Sequence, residues 1–412
     1  MRIVFLNPTA QIGGAERALL DLMSSLQQAQ PTWRLHLITG DSGPLVDACK
    51  AIGVPARVAQ LPNELARLGD AGAGGPAGRE LSKAVLLGRL ALASVAATRY
   101  TRTLRRLLDE LKPDLIHTNG FKMHVLGAWA KPAATPLVWH IHDYVSSRVV
   151  MAKLLRMFAG RCNAVIANSA SVAEDFQSTL KPRMPVHTVW NAVDLKEFSP
   201  EGPKLDLDAA SGLPPAPHDV VRVGLVGTLA KWKGHDVFLR ALAMLPTNLS
   251  VRGYIVGGPL YQTDASQWRL DDLKQQATHL GLTGRVGFTG FVARSAEAMR
   301  SLDVIVHAST KPEPFGLVII EAMACRRAVI ARRAGGATEI IRDGVNALAH
   351  AASDAADLAS VIVRLARDPK LREQLGGVGR ETAEQHFDRA RLGPQLAPIY
   401  QSILSAHPAQ AA

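Results

Sequence analysis

Two glutamates separated by seven residues, Glu313 and Glu321, stand in the stretch Asp303-Val-Ile-Val-His-Ala-Ser-Thr-Lys-Pro-Glu-Pro-Phe-Gly-Leu-Val-Ile-Ile-Glu-Ala-Met-Ala324. Val304, Ile305 and Val306 form the apolar run of a buried parallel strand. Pro312 and Pro314 bar a strand or helix from continuing. From Leu317 the residues read as a buried helix, entered through Phe315 and Gly316. The helix start offers free backbone N–H groups, which favour an anion or a cluster of sugar hydroxyls. Glu313 falls on the loop and Glu321 just inside the helix, so the pair suits a ligand with two hydroxylated parts. An isolated glutamate is more often a solvated surface acid; the surrounding pattern is what turns the reading toward a site.

Four further stretches carry chemistry. Gly13-Gly-Ala-Glu16 follows the first strand and opens the first helix, where Gly13 and Gly14 let backbone N–H groups approach a phosphate. It lacks the Gly-x-Gly-x-x-Gly of a dinucleotide site. Trp139-His-Ile-His-Asp143 ends a strand, with His140 and His142 on one face; no metal-ligand spacing accompanies them, and His117 lies at another strand end. Gly227-Thr-Leu-Ala-Lys-Trp-Lys-Gly-His-Asp236 is a strand-to-helix loop with two lysines. Arg333-Ala-Gly-Gly-Ala-Thr-Glu-Ile-Ile341 is a strand, glycine turn and helix.

Glu-Pro-Phe-Gly-Leu-Val-Ile-Ile-Glu resembles the signature of retaining glycosyltransferases of the GT-B family 4. The resemblance covers nearly the whole chain, and the two-glutamate block is its most specific part. It implies a nucleotide-diphosphate sugar as donor, no metal, and no cofactor beyond that co-substrate. Lys233 falls on the family lysine that grips the diphosphate, where a fixed cation stabilises charge on the leaving group. Thr228, after Gly227, stands where the family has an arginine, and Lys231 is the nearest cation in sequence. Glu321 is implied to bind the ribose hydroxyls; Glu313 and the N–H groups of Phe315, Gly316 and Leu317 are implied to hold the sugar. Phe291 and Val292, beyond Gly290, match the backbone that meets the nucleobase. His142 is implied to lie by the reacting sugar, and His117 could face the acceptor. The catalytic set implied is His142, Glu313 and Lys233. The absence of an obvious carboxylate nucleophile favours same-face attack by the acceptor over a covalent glycosyl-enzyme.

The elements that must position these residues are read from periodicity. Short apolar strands at 3–6, 35–38, 115–117, 137–141 and 164–167 alternate with helical stretches such as 15–26, which makes βαβ units and a parallel sheet. A second series has strands at 221–227, 254–256, 286–289, 304–307 and 328–331, with 268–280 the longest helix between them. The expected fold is α/β, GT-B: two doubly wound Rossmann-like domains facing across a cleft. Residues 1–200 form an acceptor-binding domain and 201–386 a nucleotide-sugar-binding domain, joined by a proline-rich linker reaching about residue 218. A terminal helix over 387–405, with Leu392, Leu396, Ile399, Tyr400 and Ile403 at helical spacing, is expected by resemblance to cross back to the first domain. Residues 69–78, rich in Gly and Ala, read as a mobile loop.

With 412 residues, 47% hydrophobic and 20% charged, the chain can bury full cores and is not a disordered polymer. The formal charge of +11 calls for an anionic partner. Nucleic acid is excluded as the expected partner: no binding module is present, and aromatics are only 5%, poor for base stacking. Arg79, Lys83, Arg89, Arg99, Arg102, Arg105, Arg106 and Lys112 stud a helical stretch, which suits peripheral contact with an anionic membrane or a plainly solvated face. Residues 84–97, broken by Arg89, are too short to span a bilayer. Three scattered cysteines and a start without a signal peptide lead to an expected cytoplasmic location, peripheral at the inner face of the membrane. The acceptor expected is a glycan or lipid-linked molecule of cell-surface polysaccharide biosynthesis. Two alternatives are an inactive donor-binding partner of a glycan assembly complex and a nucleotide-sugar epimerase.

Overall fold

The computed structural model describes residues 1–66, 83–258 and 266–407. The Gly/Ala-rich stretch 69–78, with Arg79 and Glu80, lies outside the described residues. The chain divides into two compact units: 1–191 with 389–412, and 192–388. The proline-rich stretch up to residue 218 belongs to the second unit.

The first unit contains β1 (Arg2–Asn7), α1 (Gly14–Ala29), β2 (Arg34–Thr39), α2 (Pro44–Ala51), β3 (Ala56–Val58), α3 (Asn63–Ala66), α4 (Lys83–Leu111), β4 (Leu115–Asn119), α5 (Phe121–Ala130), β5 (Leu137–Ile141), α6 (Val149–Phe158), β6 (Ala164–Ala167), α7 (Ala170–Leu180) and β7 (Val186–Thr188). Its parallel sheet has the order β3-β2-β1-β4-β5-β6-β7. The strands β4, β5 and β6 are buried along their whole length, because helices cover both faces of such a sheet and the residues must be apolar throughout.

The second unit contains α8 (Leu207–Ser211), β8 (Val221–Val226), α9 (His235–Ala243), β9 (Val251–Val256), α10 (Leu270–His279), β10 (Val286–Gly290), α11 (Ser295–Arg300), β11 (Val304–His307), α12 (Leu317–Ala324), β12 (Ala328–Arg332), β13 (Leu348–His350), α13 (Ala355–Arg367) and α14 (Pro369–His386). Its parallel sheet has the order β10-β9-β8-β11-β12-β13. In each sheet the order reverses at the first strand, between β1 and β4 and between β8 and β11. Ligands of open α/β sheets bind beyond the carboxyl ends of strands at such a reversal.

The helix after the second unit, α15 (Leu392–Ala406), belongs to the first. Leu392, Leu396, Ala397, Tyr400 and Ile403 are buried, and Gly393 donates its amide to Ser25 Oγ of α1 at 2.8 Å. No helix among the described residues is long and apolar enough to cross a membrane.

Candidate functional site

In the second unit the loops after β8 and β11 meet. Lys233, in a short 3-10 turn after β8, brings its Nζ 2.6 Å from Glu313 Oε1. The side chains are 15% and 11% exposed, so this pair is largely shielded from water. Gly234 makes the approach possible. Its φ is +78°, and a Cβ there would lie 2.0 Å from the Ala308 carbonyl oxygen, so the two loops touch through backbone. The Thr310 amide, donating to the Trp232 carbonyl at 2.7 Å, fastens the same contact.

Glu313 is held from below as well. The Gly336 amide donates to the Glu313 carbonyl at 2.8 Å, and a Cβ on Gly336 would sit 2.2 Å from the Pro314 oxygen. The Gly335-Gly336 turn after β12 therefore supports the loop that carries the carboxylate. Ser309 Oγ donates to Glu313 Oε2 at 2.8 Å, and His307 Nε2 contacts the same oxygen. Burial alone would raise the Glu313 carboxyl, but the Lys233 ammonium and His307 beside it hold it well below the ordinary carboxylate range.

The remaining residues singled out in this unit spread along the same edge. Gly227 and Thr228 follow β8 directly and are half-buried. Lys231 does not join the Glu313 cluster; it is exposed, with Nζ 5.5 Å over the Trp268 ring. Gly316 caps α12 at its N-terminus, Phe315 is buried, and Leu317 begins the helix. Glu321 is buried one turn further on. Phe291 and Val292 follow β10, the edge strand, and Phe291 is largely exposed. His307, Ser309 and Arg332 were not singled out from sequence. Arg332 ends β12 and donates to the Ser309 carbonyl at 3.3 Å. The available signal was their position at or just beyond the carboxyl ends of buried strands.

In the first unit, Gly13 precedes α1 and Gly14 begins it. The Gly13 amide, expected to be open to phosphate, is occupied. Glu16 Oε2 accepts it at 3.1 Å, and Glu16 Oε1 accepts from Asn7 Nδ2 at 3.2 Å. Burial raises the Glu16 carboxyl pKa. The amides of Gly14, Ala15 and Glu16 precede the first intrahelical bond, which runs from the Arg17 amide to the Gly13 carbonyl at 3.0 Å.

His142 follows β5, its ring 4.0 Å from that of His140, as alternation on one face requires. Both His142 nitrogens are shielded from solvent, with no hydrogen-bond partner among the described residues. Burial pushes its pKa down to about 4, so it is neutral at pH 7. His117, read from sequence as able to face the acceptor, is turned inward in the first unit. It is completely buried because β4 lies inside the sheet, and it bonds to His140 and Tyr400. No group of three or more metal-ligating side chains occurs among the described residues.

Two family models match the chain: "Glycosyltransferase Family 4" over residues 12–197 and "Glycosyl transferases group 1" over 214–382. A D-inositol 3-phosphate glycosyltransferase of Thermobifida fusca is 34% identical over 47% of this chain. That match spans 44% of the relative, so the alignment covers less than half of its length. The lipopolysaccharide core biosynthesis mannosyltransferase LpcC of Rhizobium leguminosarum is 29% identical over 68% of this chain and 82% of its own. Among solved structures, Anabaena Alr3699/HepE in complex with UDP-glucose matches with a TM-score of 0.75 and 27% identity, covering 98% of this chain and 100% of that one. These matches agree with two Rossmann-like sheets and a helix that returns to α1. The chain belongs to family 4 of the group 1 glycosyltransferases and has the GT-B fold.

Proposed function

We propose that this chain is a retaining glycosyltransferase that moves a sugar from UDP to a glycan or lipid-linked acceptor of cell-surface polysaccharide biosynthesis. The observation that carries the reading is the buried Lys233–Glu313 pair, set at the sheet reversal by Gly234 and Gly336. Its two members are the groups that a diphosphate and a sugar would address. The base is read as uracil because a relative of matching fold was solved with UDP-glucose. The acceptor class is read from the lipopolysaccharide enzyme LpcC.

In this reading Lys233 meets the charge that builds on UDP as the sugar–phosphate bond breaks, and amides at the α12 start fix the sugar with Glu313. Glu321 takes the ribose hydroxyls. Gly13, Gly14, Gly227, Thr228, Phe291 and Val292 line the donor, and His142 lies by the reacting sugar. Both oxygens of Glu313 are engaged by Lys233, Ser309 and His307. That argues against Glu313 as a nucleophile and favours same-face attack by the acceptor as the route to retention.

A membrane-facing surface extends the reading. Val149, Val150 and Met157 of α6 are all exposed, on the side that also carries Lys153 and Arg156, and the helix has no acidic residue. An apolar face edged by cations suits an anionic interface.

The test is calorimetric titration with UDP, GDP, ADP and their sugar conjugates, on wild type and Glu321→Ala. Tight binding of UDP alone, weakened at least tenfold in the variant, is expected. If UDP and its sugar conjugates bind but the wild type neither transfers nor hydrolyses the sugar, the inactive-partner alternative replaces this reading; if no nucleotide binds, both are overturned.

A further inference from the structure

Tyr400 lies on α15, far along the chain from the other residues of the first unit's histidine cluster. Its Oη is nevertheless 2.7 Å from His117 Nδ1. His117 Nε2 is 3.2 Å from His140 Nδ1, with the two rings edge to face. The His140 ring then lies 4.0 Å from the His142 ring, tilted by 39°. Tyr400 and His117 are fully buried and His140 nearly so. Neither hydrophobic packing nor donor binding requires a polar chain at this depth, and burying one costs free energy unless its members pair.

We propose that Tyr400 and His117 are positioning residues: through a one-way hydrogen-bond chain they fix the tautomer and ring plane of His140, on which His142 rests. The proposal depends on the function proposed above only for what His142 does.

The direction of the chain follows from chemistry. A neutral imidazole has one N–H and one bare nitrogen. A phenol hydroxyl donates strongly to a bare nitrogen, and 2.7 Å is the short separation typical of an O–H donor. Tyr400 therefore donates to His117 Nδ1. His117 carries its own proton on Nε2 and donates it to His140 Nδ1. His140 in turn carries its proton on Nε2, an atom shielded from water and without a partner among the described residues. Burial keeps the rings neutral: it pushes His117 down to about 3 and His140 well below its ordinary value. With no charge to rearrange, the Tyr400 hydroxyl of α15 orients both rings. A ring with a fixed plane beneath His142 limits the angles His142 can adopt.

The measurement is nitrogen-15 NMR of histidine-labelled protein, with signals assigned from single histidine substitutions, on wild type and Tyr400→Phe. In the wild type, His117 and His140 should both show the Nε2–H tautomer. In Tyr400→Phe the donor to His117 Nδ1 is gone, so both rings should invert or exchange between tautomers. In transfer assays kcat should fall about tenfold, the size of one lost orienting hydrogen bond. The donor KM and the UDP Kd, which rest on Lys233, Glu313, Glu321 and backbone amides that Tyr400 does not touch, should stay within about twofold on the same scale. A merely structural role would leave the tautomers unchanged. Wild-type His140 protonated on Nδ1 overturns the proposal, as does a variant with wild-type tautomers and rate. The wild-type spectrum decides the direction even if the variant does not fold. It needs no substrate, so a protein without transferase activity would refute the proposed function and leave this inference standing or falling on its own result.

Discussion

Lys233→Met and Glu313→Gln should both lower stability, by unequal amounts, and should differ in the direction of their effect on nucleotide binding. In the absence of ligand, Lys233 and Glu313 neutralise each other at 2.6 Å. Removing one partner of a buried pair costs about 3–5 kcal/mol when it strands the other. Lys233→Met strands the Glu313 carboxylate, but Ser309 and His307 still contact it, which places the cost near the low end, about 3 kcal/mol. Glu313→Gln keeps the shape: its carbonyl in the place of Oε1 still accepts from Lys233, and its amide in the place of Oε2 faces Ser309 Oγ, which can accept instead of donate. The ammonium then lacks only its counter-charge, at a cost of about 1 kcal/mol. A unit of this size loses roughly 2–4 °C in Tm per kcal/mol, so the variants should fall by roughly 6–12 °C and 2–4 °C. UDP titration should separate the two variants further. Lys233→Met should weaken UDP binding at least tenfold, about 1.4 kcal/mol. Glu313→Gln frees the ammonium and should bind UDP as tightly as wild type or tighter, while transfer falls about a hundredfold or more. Thermal unfolding and calorimetry on the same preparations decide it. Equal loss of UDP affinity in the two variants would refute the idea that the pair is shared between ligand-free and bound states.

Three other outcomes follow. Thr228→Arg restores a cation at the end of β8, where Lys231 is drawn over Trp268 instead, and should tighten UDP binding by about tenfold; unchanged affinity at low salt would place the diphosphate elsewhere. His117, His124, His140 and His142 are all lowered by burial. Each therefore contributes stability above its unfolded pKa of about 6.5 that is lost as pH falls toward the folded value, and the urea midpoint should drop between pH 7 and 5. A first unit equally resistant to urea at both values would contradict this. Serine at Val149, Val150 and Met157 together should abolish co-sedimentation with vesicles containing anionic phosphatidylglycerol, whereas variants that sediment like wild type would remove α6 from any membrane role.

Much of the second unit was readable because its grammar is local. The run Val304, Ile305, Val306 needs no partner to be recognised as a buried strand, and Pro312 and Pro314 mark where it must stop; β11 and α12 begin and end where that pattern puts them. The strands β3, β7 and β13 were missed. Each has three residues and lies at a sheet edge, too short for alternation to register. The site divides similarly. Glu313 and Lys233 stand out by motif, but their ion pair spans 80 positions and depends on Gly234 lying against Ala308. His117 was misjudged because a strand end in sequence does not reveal which strands flank it. Sheet order, with β4 between β1 and β5, encloses it.

The placement of α15 also bears on biogenesis. The first unit takes in residues on both sides of 192–388, so on a ribosome it cannot finish folding when its own first 191 residues have emerged. It must wait while the second unit is made, roughly 10–40 s at ordinary elongation rates. During that interval the part of α1 that will meet Gly393 is uncovered, and His117 has no phenol to bond. The second unit, continuous in sequence, is free to complete itself meanwhile. A released chain truncated after residue 388 should therefore show a protease-resistant second unit beside a first unit that chaperones still hold.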